Sequence, residues 1–188
     1  MASISRGLLI AAALVVGSAC GKARPAAPAL LSAATVKDIM DSIVDPSAEF
    51  LFDSVAMVAD EHGVSEKAPR TDEEWMEVRR RTIQLVEAPN LLVMKGRKVA
   101  AAEDASKNPD IELQPAQIQA LIDADPATFL DRARTLQDAA MMALKASDAR
   151  NKDALFGALE RIDKACESCH LHYWYPNDKR AQEAARQQ

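Results

Sequence analysis

Apolar residues return at steps of three and four along most of this chain, the period of a helix that buries one face. Val36, Ile39, Met40, Ile43 and Val44 form a first stripe, which predicts a helix from about residue 34. Phe50, Leu51, Val55 and Val58 form a second, from about 46 to 60. Between the stripes stands Asp45-Pro46, and an Asp N-cap followed by Pro at the first helical position predicts a break or kink and a restart. His62 and Gly63 stop that segment, and residues 64–70 read as a polar connection. Thr71 with Glu74 three residues later is a capping box, so a long helix starts there with Trp75, Val78, Thr82, Leu85 and Val86 inward. Pro89 kinks or ends it, because proline removes one helical hydrogen bond and clashes with the preceding turn. Leu91, Leu92, Met94 and Val99 continue the helical pattern, with Gly96 as a weak spot, before a loop over 102–114.

A third helical region begins with a short piece over 115–122 and restarts at Asp125-Pro126 toward residue 148, carrying Phe129, Leu130, Ala133, Leu136, Ala140, Met141 and Leu144. Asn151 opens the last helix, where Leu155, Leu159, Ile162, Cys166 and Cys169 share one seam. Beyond Pro176 the pattern is lost, which predicts a solvated and partly disordered tail over 176–188. Strand-type alternation is absent, and glycine and aromatic residues are few. The expected class is all-α: an antiparallel four-helix bundle with kinked helices over 34–175. Its length suffices for one domain with a sizeable core. The formal net charge of -5 argues against a nucleic-acid partner.

The N-terminal stretch changes the picture of where the chain works. Arg6 precedes an apolar run from Gly7 to Ala19, too short to span a bilayer and of the length of a signal-peptide core, so residues 1–19 read as an export signal. Val16-Gly17-Ser18-Ala19-Cys20 resembles a bacterial lipoprotein cleavage box, in which Cys20 is lipidated and becomes the mature N-terminus. Gly17 stands where an aliphatic residue is usual, and cleavage by the ordinary signal peptidase is the alternative. Residues 20–33, rich in Ala and Pro, would then be a flexible tether. The expected location is periplasmic, anchored to a membrane of a Gram-negative bacterium by the N-terminal lipid.

The most specific chemistry is Cys166-Glu167-Ser168-Cys169-His170, two cysteines three apart followed at once by histidine, the attachment pattern of a c-type haem. On a helix Cys166 and Cys169 stand one turn apart on one face, and both sulfurs can reach the vinyl groups along one side of a porphyrin. His170 then points an imidazole at the iron. A disulfide pair, half of a zinc site or a thioredoxin-like redox pair are the competing readings. Zinc needs a second pair of ligands and the redox pair needs a βαβ setting, and neither is evident in the sequence.

An export signal, four helices and a single attachment motif on the last helix together resemble the cytochrome c-prime superfamily of four-helix-bundle c-type cytochromes. The resemblance spans residues 34–173 and rests on Cys166, Cys169, His170 and Tyr173. Trp174 departs from it, standing where that superfamily tends to have a basic residue. The resemblance implies one covalent haem c, a first helix over its distal face, and frequent homodimers. It also implies that the residue above the iron is either apolar, leaving the metal five-coordinate, or a methionine ligand. Met40 matches that position, and Met57 is the reserve; the plainer role for Met40 is core packing. Met40 and His170 as axial ligands imply one-electron transfer to redox partner proteins of the cell envelope. The alternative is a haem that binds nitric oxide or carbon monoxide, with Met40 as a pocket wall. An enzyme is not expected, since neither Glu49 nor His62 is evidently placed as a distal acid or base. His62 reads as an exposed or capping residue, and His172 faces away from His170. Among the basic residues, Arg97 is the candidate contact for a haem propionate, and Arg79, Arg80 and Arg81 read as a solvated face.

Overall fold

The computed structural model describes residues 30–61 and 63–187, apart from the side chains of Ala59 and Asp60. The expected signal peptide, Cys20 and His62 lie outside the described residues, as does the tether up to residue 29. The chain divides into two units, Met1–Leu31 and Ser32–Gln188. The second is mainly helical with one small two-stranded sheet.

Thr35 caps α1 (Val36–Ile39) through a capping box with Asp38. The first two amides of this helix find partners elsewhere: Val36 N–H donates to the Lys98 carbonyl at 2.8 Å and Lys37 N–H to that of Val99 at 2.9 Å. Residues 93–99, which the apolar spacing predicts to be helical, are instead a bracket for the start of α1. Gly96 makes the turn at φ +82, a conformation that side chains disfavour. Arg97 locks the bracket, its guanidinium donating to the carbonyls of Leu91 and Ala34 and to the Met94 sulfur.

At Asp45-Pro46, where a break or kink is expected, the helix is distorted but not broken. The chain passes from α1 through a π-helical turn, Met40–Val44, into α2 (Asp45–Ser54) without leaving helical dihedrals. Asp45 is no N-cap; its own N–H donates to the Met40 carbonyl five residues back. Pro46 supplies no N–H and crowds the carbonyl of the turn before it, and one widened turn immediately upstream accommodates both without ending the helix.

α2 stops at Ser54 rather than near residue 60. Val55 is extended (φ -135, ψ 110), and the chain forms a hairpin of β1 (Ala56–Asp60) and β2 (Gly63–Lys67). The strands are antiparallel, from Ala56 opposite Lys67 to Asp60 opposite Gly63, and Gly63 closes the pairing at φ +121. The β-branched Val55 and Val58 favour an extended backbone once α2 has no further core to cover. Met57 and Val64 are accordingly exposed.

Thr71 caps α3 (Asp72–Leu92) with the expected capping box, and Trp75, Val78, Thr82, Leu85 and Val86 are all buried. Pro89 lies inside the last turn of α3 and the helix ends three residues later. Gln137 donates to the Val86 carbonyl at 2.9 Å, tying the proline-bearing end to the neighbouring helix. α4 (Pro115–Ala124) and α5 (Pro126–Asp148) meet at Asp125, whose side chain accepts from Thr128 N–H. Arg150 adopts φ 51 just past α5, and Asn151 caps α6 (Lys152–Tyr173), so that α5 and α6 run antiparallel across a tight link. α5 packs along both α6 and α3, and α2 lies against α3, where Ser47 donates to Gln84 Oε1 at 2.7 Å. The tail does not dissolve after Pro176: Asp178 caps a further helix, α7 (Lys179–Arg186), which packs on α6 through half-buried Ala181, Gln182 and Ala185. Among the described residues no helix is long and apolar enough to cross a membrane.

The core joins Leu51 of α2, Val78 and Leu85 of α3, and Leu155 and Ile162 of α6, all at or near zero exposure. Leu155→Ala should therefore cost about 2–5 kcal/mol, the usual range for a collapsed or residual cavity. Phe156→Ala, one residue on and 42% exposed, should stay within about 1 kcal/mol. Urea unfolding followed by circular dichroism separates the two; equal losses would mean that α6 presents a different face.

Candidate functional site

The seam of α6 changes character along its length. Leu155, Leu159 and Ile162 are buried hydrocarbon, and one turn later the same face carries Cys166 and Cys169, half-buried and free as thiols. The packing loosens there into a cavity of about 260 Å³ enclosed by α6, α5, the π-helical turn, α2 and the end of α3. Its apolar wall includes Met40, Val44, Phe52, Leu92, Phe129 and Leu136; Cys166, Cys169 and His170 line the same space. Met40, the first residue of the π-helical turn, thus faces the cavity that holds the motif, although it is 126 residues before Cys166 in the chain.

Electrostatics match this placement. Burial pushes the Cys166 thiol up to about 12, helped by nearby Cys169 and Asp163, and Cys169 up to about 11, against a small opposing effect of Arg132. Burial holds His170 below its ordinary pKa, with Glu167 opposing, so its imidazole is neutral at pH 7 and keeps a nitrogen lone pair. Four carboxylates, Asp45, Glu49, Asp163 and Glu167, also line the cavity. Asp45 is held above the usual carboxylate range by desolvation and then by its neighbours Asp41 and Glu49. The cationic group among the lining residues is Arg132, whose Nη1 donates to the carbonyl and hydroxyl of Ser168 at 2.8 and 2.6 Å. Its Nε is buried with no hydrogen-bond partner among the described residues.

Not every expected residue arrives. Arg97 is occupied by the bracket at the end of α3 and is nearly buried there, so it serves the backbone rather than the cavity. Met57 sits on the hairpin, 63% exposed, and is not among the cavity residues. His172 faces away from the cavity, onto a groove bordered by Arg132, Lys164 and Ala185, with its ring against Tyr173. Arg79 pairs with Asp148, and Arg80 and Arg81 with Glu77, on the surface as expected. Two participants carry no strong signal in the sequence. Arg132 lies three residues after Phe129 and four before Leu136 on the inward stripe of α5, which is the signal that could have found it. Tyr175 places its hydroxyl 3.4 Å from His170 Nδ1, and its position beyond the end of α6 gives no periodic signal.

Comparison of the chain with protein-family models, with curated proteins and with solved structures finds no match in any of the three. The chemistry of the site must therefore be argued from its own residues. Two thiols on one helix face, a neutral imidazole, a thioether and an apolar wall are a donor set that could hold a flat, largely apolar group with a metal at its centre. The unpartnered Arg132 Nε would be satisfied by a carboxylate. The volume is near the lower bound of small-molecule pockets, which suits a group whose edge stays outside. Among the described residues no group of three or more His, Cys, Asp or Glu side chains is placed to hold a bare metal ion.

With both thiols unmodified, the high pKa values predict slow alkylation. At pH 8 iodoacetamide should label Cys166 and Cys169 at least about 10²-fold more slowly in the folded chain than in denaturant, where thiols return to about 8.5. Because the folded-state values are raised, the rate should still climb about tenfold per pH unit up to pH 10, where the denatured chain has levelled off. Mass spectrometry of timed samples reads this, and equal rates in the two states would show that the seam does not bury the thiols.

Proposed function

We propose that this chain is a mono-haem c-type cytochrome of the cytochrome c-prime kind, exported, tethered through a lipid on Cys20 and used for one-electron transfer with proteins of the cell envelope. On this reading α2, α3, α5 and α6 are the antiparallel four-helix bundle, with α1 and the π-helical turn as the distal part of its first helix. The observation that carries the proposal is the convergence of Met40 with Cys166, Cys169 and His170 on one cavity, from opposite ends of the sequence.

Each residue then has a defined task. Cys166 and Cys169 would hold the group through two thioether bonds, each sulfur joined to one vinyl carbon and its S–H proton to the other. His170 would offer its imidazole lone pair and Met40 its thioether sulfur to the iron. Arg132 pairs with a propionate, the role expected of Arg97. Phe52, Phe129, Leu92 and Leu136 keep water from the interior, which limits the solvent rearrangement that accompanies a change of charge. The bound group supplies the one-electron iron couple, and soft Met/His ligation raises its potential.

The purified protein from a host that matures c-type cytochromes should carry covalent haem by mass. Its oxidised spectrum should be low-spin with a methionine-to-iron charge-transfer band, little altered by carbon monoxide after reduction. Met40→Ala should abolish that band and open the iron to carbon monoxide. A wild-type protein that is already high-spin, binds carbon monoxide readily and does not respond to Met40→Ala would replace electron transfer with gas binding.

A further inference from the structure

The end of α6 is built around the His170 carbonyl and ring. Trp174 N–H and Tyr175 N–H both donate to the His170 carbonyl, at 2.7 and 2.9 Å, so the chain folds back over the residue it has just left. Leu113 N–H donates to the Trp174 carbonyl at 2.7 Å and Asp178 N–H to that of Tyr175 at 3.1 Å, which fixes the reversal from both sides. The His170 ring consequently stands edge-on to Trp174, with ring centres 5.1 Å apart, and to Tyr175, at 5.7 Å.

The hydrogen-bond directions follow from a count of protons. Tyr175 has one hydroxyl proton, and a carboxylate oxygen, Glu167 Oε2, lies 2.7 Å away and can only accept. That proton is therefore committed to Glu167. The Tyr175 oxygen, 3.4 Å from His170 Nδ1, then has only lone pairs to offer, which favours the tautomer with the hydrogen on Nδ1. In that tautomer Nε2 is left bare. This is the tautomer a ligating imidazole needs when Nε2 is to meet a metal. Glu167 is itself inside the motif, between the two cysteines, so the same helical turn supplies the thiols, the ring and the anion that governs the ring.

We infer that Tyr175 and Glu167 are positioning residues for His170, forming a carboxylate–phenol–imidazole relay that fixes its tautomer and orientation and strengthens its donation to iron. The inference rests on the proposed haem reading. Trp174 stands where the resembled superfamily tends to have a basic residue, so the relay places a negative group behind the proximal histidine, where that superfamily tends to have a positive one. The added donation favours the oxidised metal, and the relay holds the potential down.

A double-mutant cycle on the haem-loaded full chain tests this, with Tyr175→Phe, Glu167→Gln and both together, read by spectroelectrochemical potential and by the axial-histidine N–H resonance in the reduced state. Tyr175→Phe keeps the ring packing and all charges, and should raise the potential and move the N–H resonance. Glu167→Gln should raise the potential in the wild-type background and much less when Tyr175 is already Phe, because the effect is conducted through the phenol. An unchanged potential in Tyr175→Phe, or strictly additive shifts, would overturn the relay and leave Glu167 as a through-space charge. Absence of covalent haem in the wild-type mass sinks the haem reading instead. The relay is then judged on ¹⁵N spectra of His170 in the full chain as isolated, with circular dichroism confirming the fold of each variant. An Nδ1–H tautomer that reverts in Tyr175→Phe upholds it, and the same tautomer in both variants overturns it.

Discussion

The burial of one face of α6 is the constraint on which the rest depends. Leu155, Leu159 and Ile162 must be covered, and α5, tied to α6 by the tight link at Arg150, covers them from one side while Leu51 of α2 and Leu85 of α3 close the core. Fixing that seam fixes the rotation of the helix about its axis. The next residues on it, Cys166 and Cys169, then have no freedom but to point into the same interior. The core and the candidate site are one stripe read at two heights, hydrocarbon below and thiol and imidazole above. A helix rotated by one residue would lose both together.

The second element of the site depends on a defect. A regular helix through residues 36–54 cannot contain Pro46 without a lost hydrogen bond and a steric clash, at about 3 kcal/mol. The π-helical turn at Met40–Val44 absorbs that misfit and in doing so shifts the register between α1 and α2. Ile39 and Val44 stay buried on either side of the shift while Met40 faces the cavity. The bracket at residues 97–99 holds the other end of this segment, with Lys98 and Val99 carbonyls taking the first amides of α1. Arg97, which looks like a ligand contact in the sequence, acts on the site only by anchoring the helix that carries Met40.

Legibility in the sequence belongs to what has a period or a cap. The inward faces of α3 and α6, and the caps at Thr71, Asp125 and Asn151, follow from spacing and from side chains that satisfy amides three residues on. The cluster of Cys166, Cys169 and His170 is legible because its three residues lie within five positions, and Met40 through a family resemblance. The hairpin escapes because Val55, Met57 and Val58 fit a helical stripe as well as a strand, and only the end of the core at Val55 decides between them. Residues 91–99 escape because their apolar side chains do turn inward, with Leu92 and Val99 buried, but on a backbone that leaves the helix after Leu92. α7 has too short an apolar stripe to announce itself, and it exists through Asp178 and through contact with α6. Arg132 and Tyr175 depend on where helices sit in space, which no local pattern contains.

On the proposed reading the charges around the cavity and the groups within it would act on a bound iron in opposite directions, and their surroundings decide which prevails. Asp45, Glu49, Asp163 and Glu167 all disfavour the gain of an electron, with Arg132 as the opposing cation. Glu49 and Asp163 are exposed and Asp45 only partly desolvated, so water and salt weaken the effect of each. Met40 and His170 are screened by the apolar wall, where an interaction keeps several times that strength. Axial ligation therefore sets the scale of the potential on the proposed reading, and the rim sets a smaller offset that weakens with ionic strength. Glu167 alone belongs to both groups, half-buried and hydrogen-bonded to the phenol behind His170. Of the four carboxylates it is, on the proposed reading, the one whose influence would reach the metal through bonds as well as through solvent, and so the one salt would screen least.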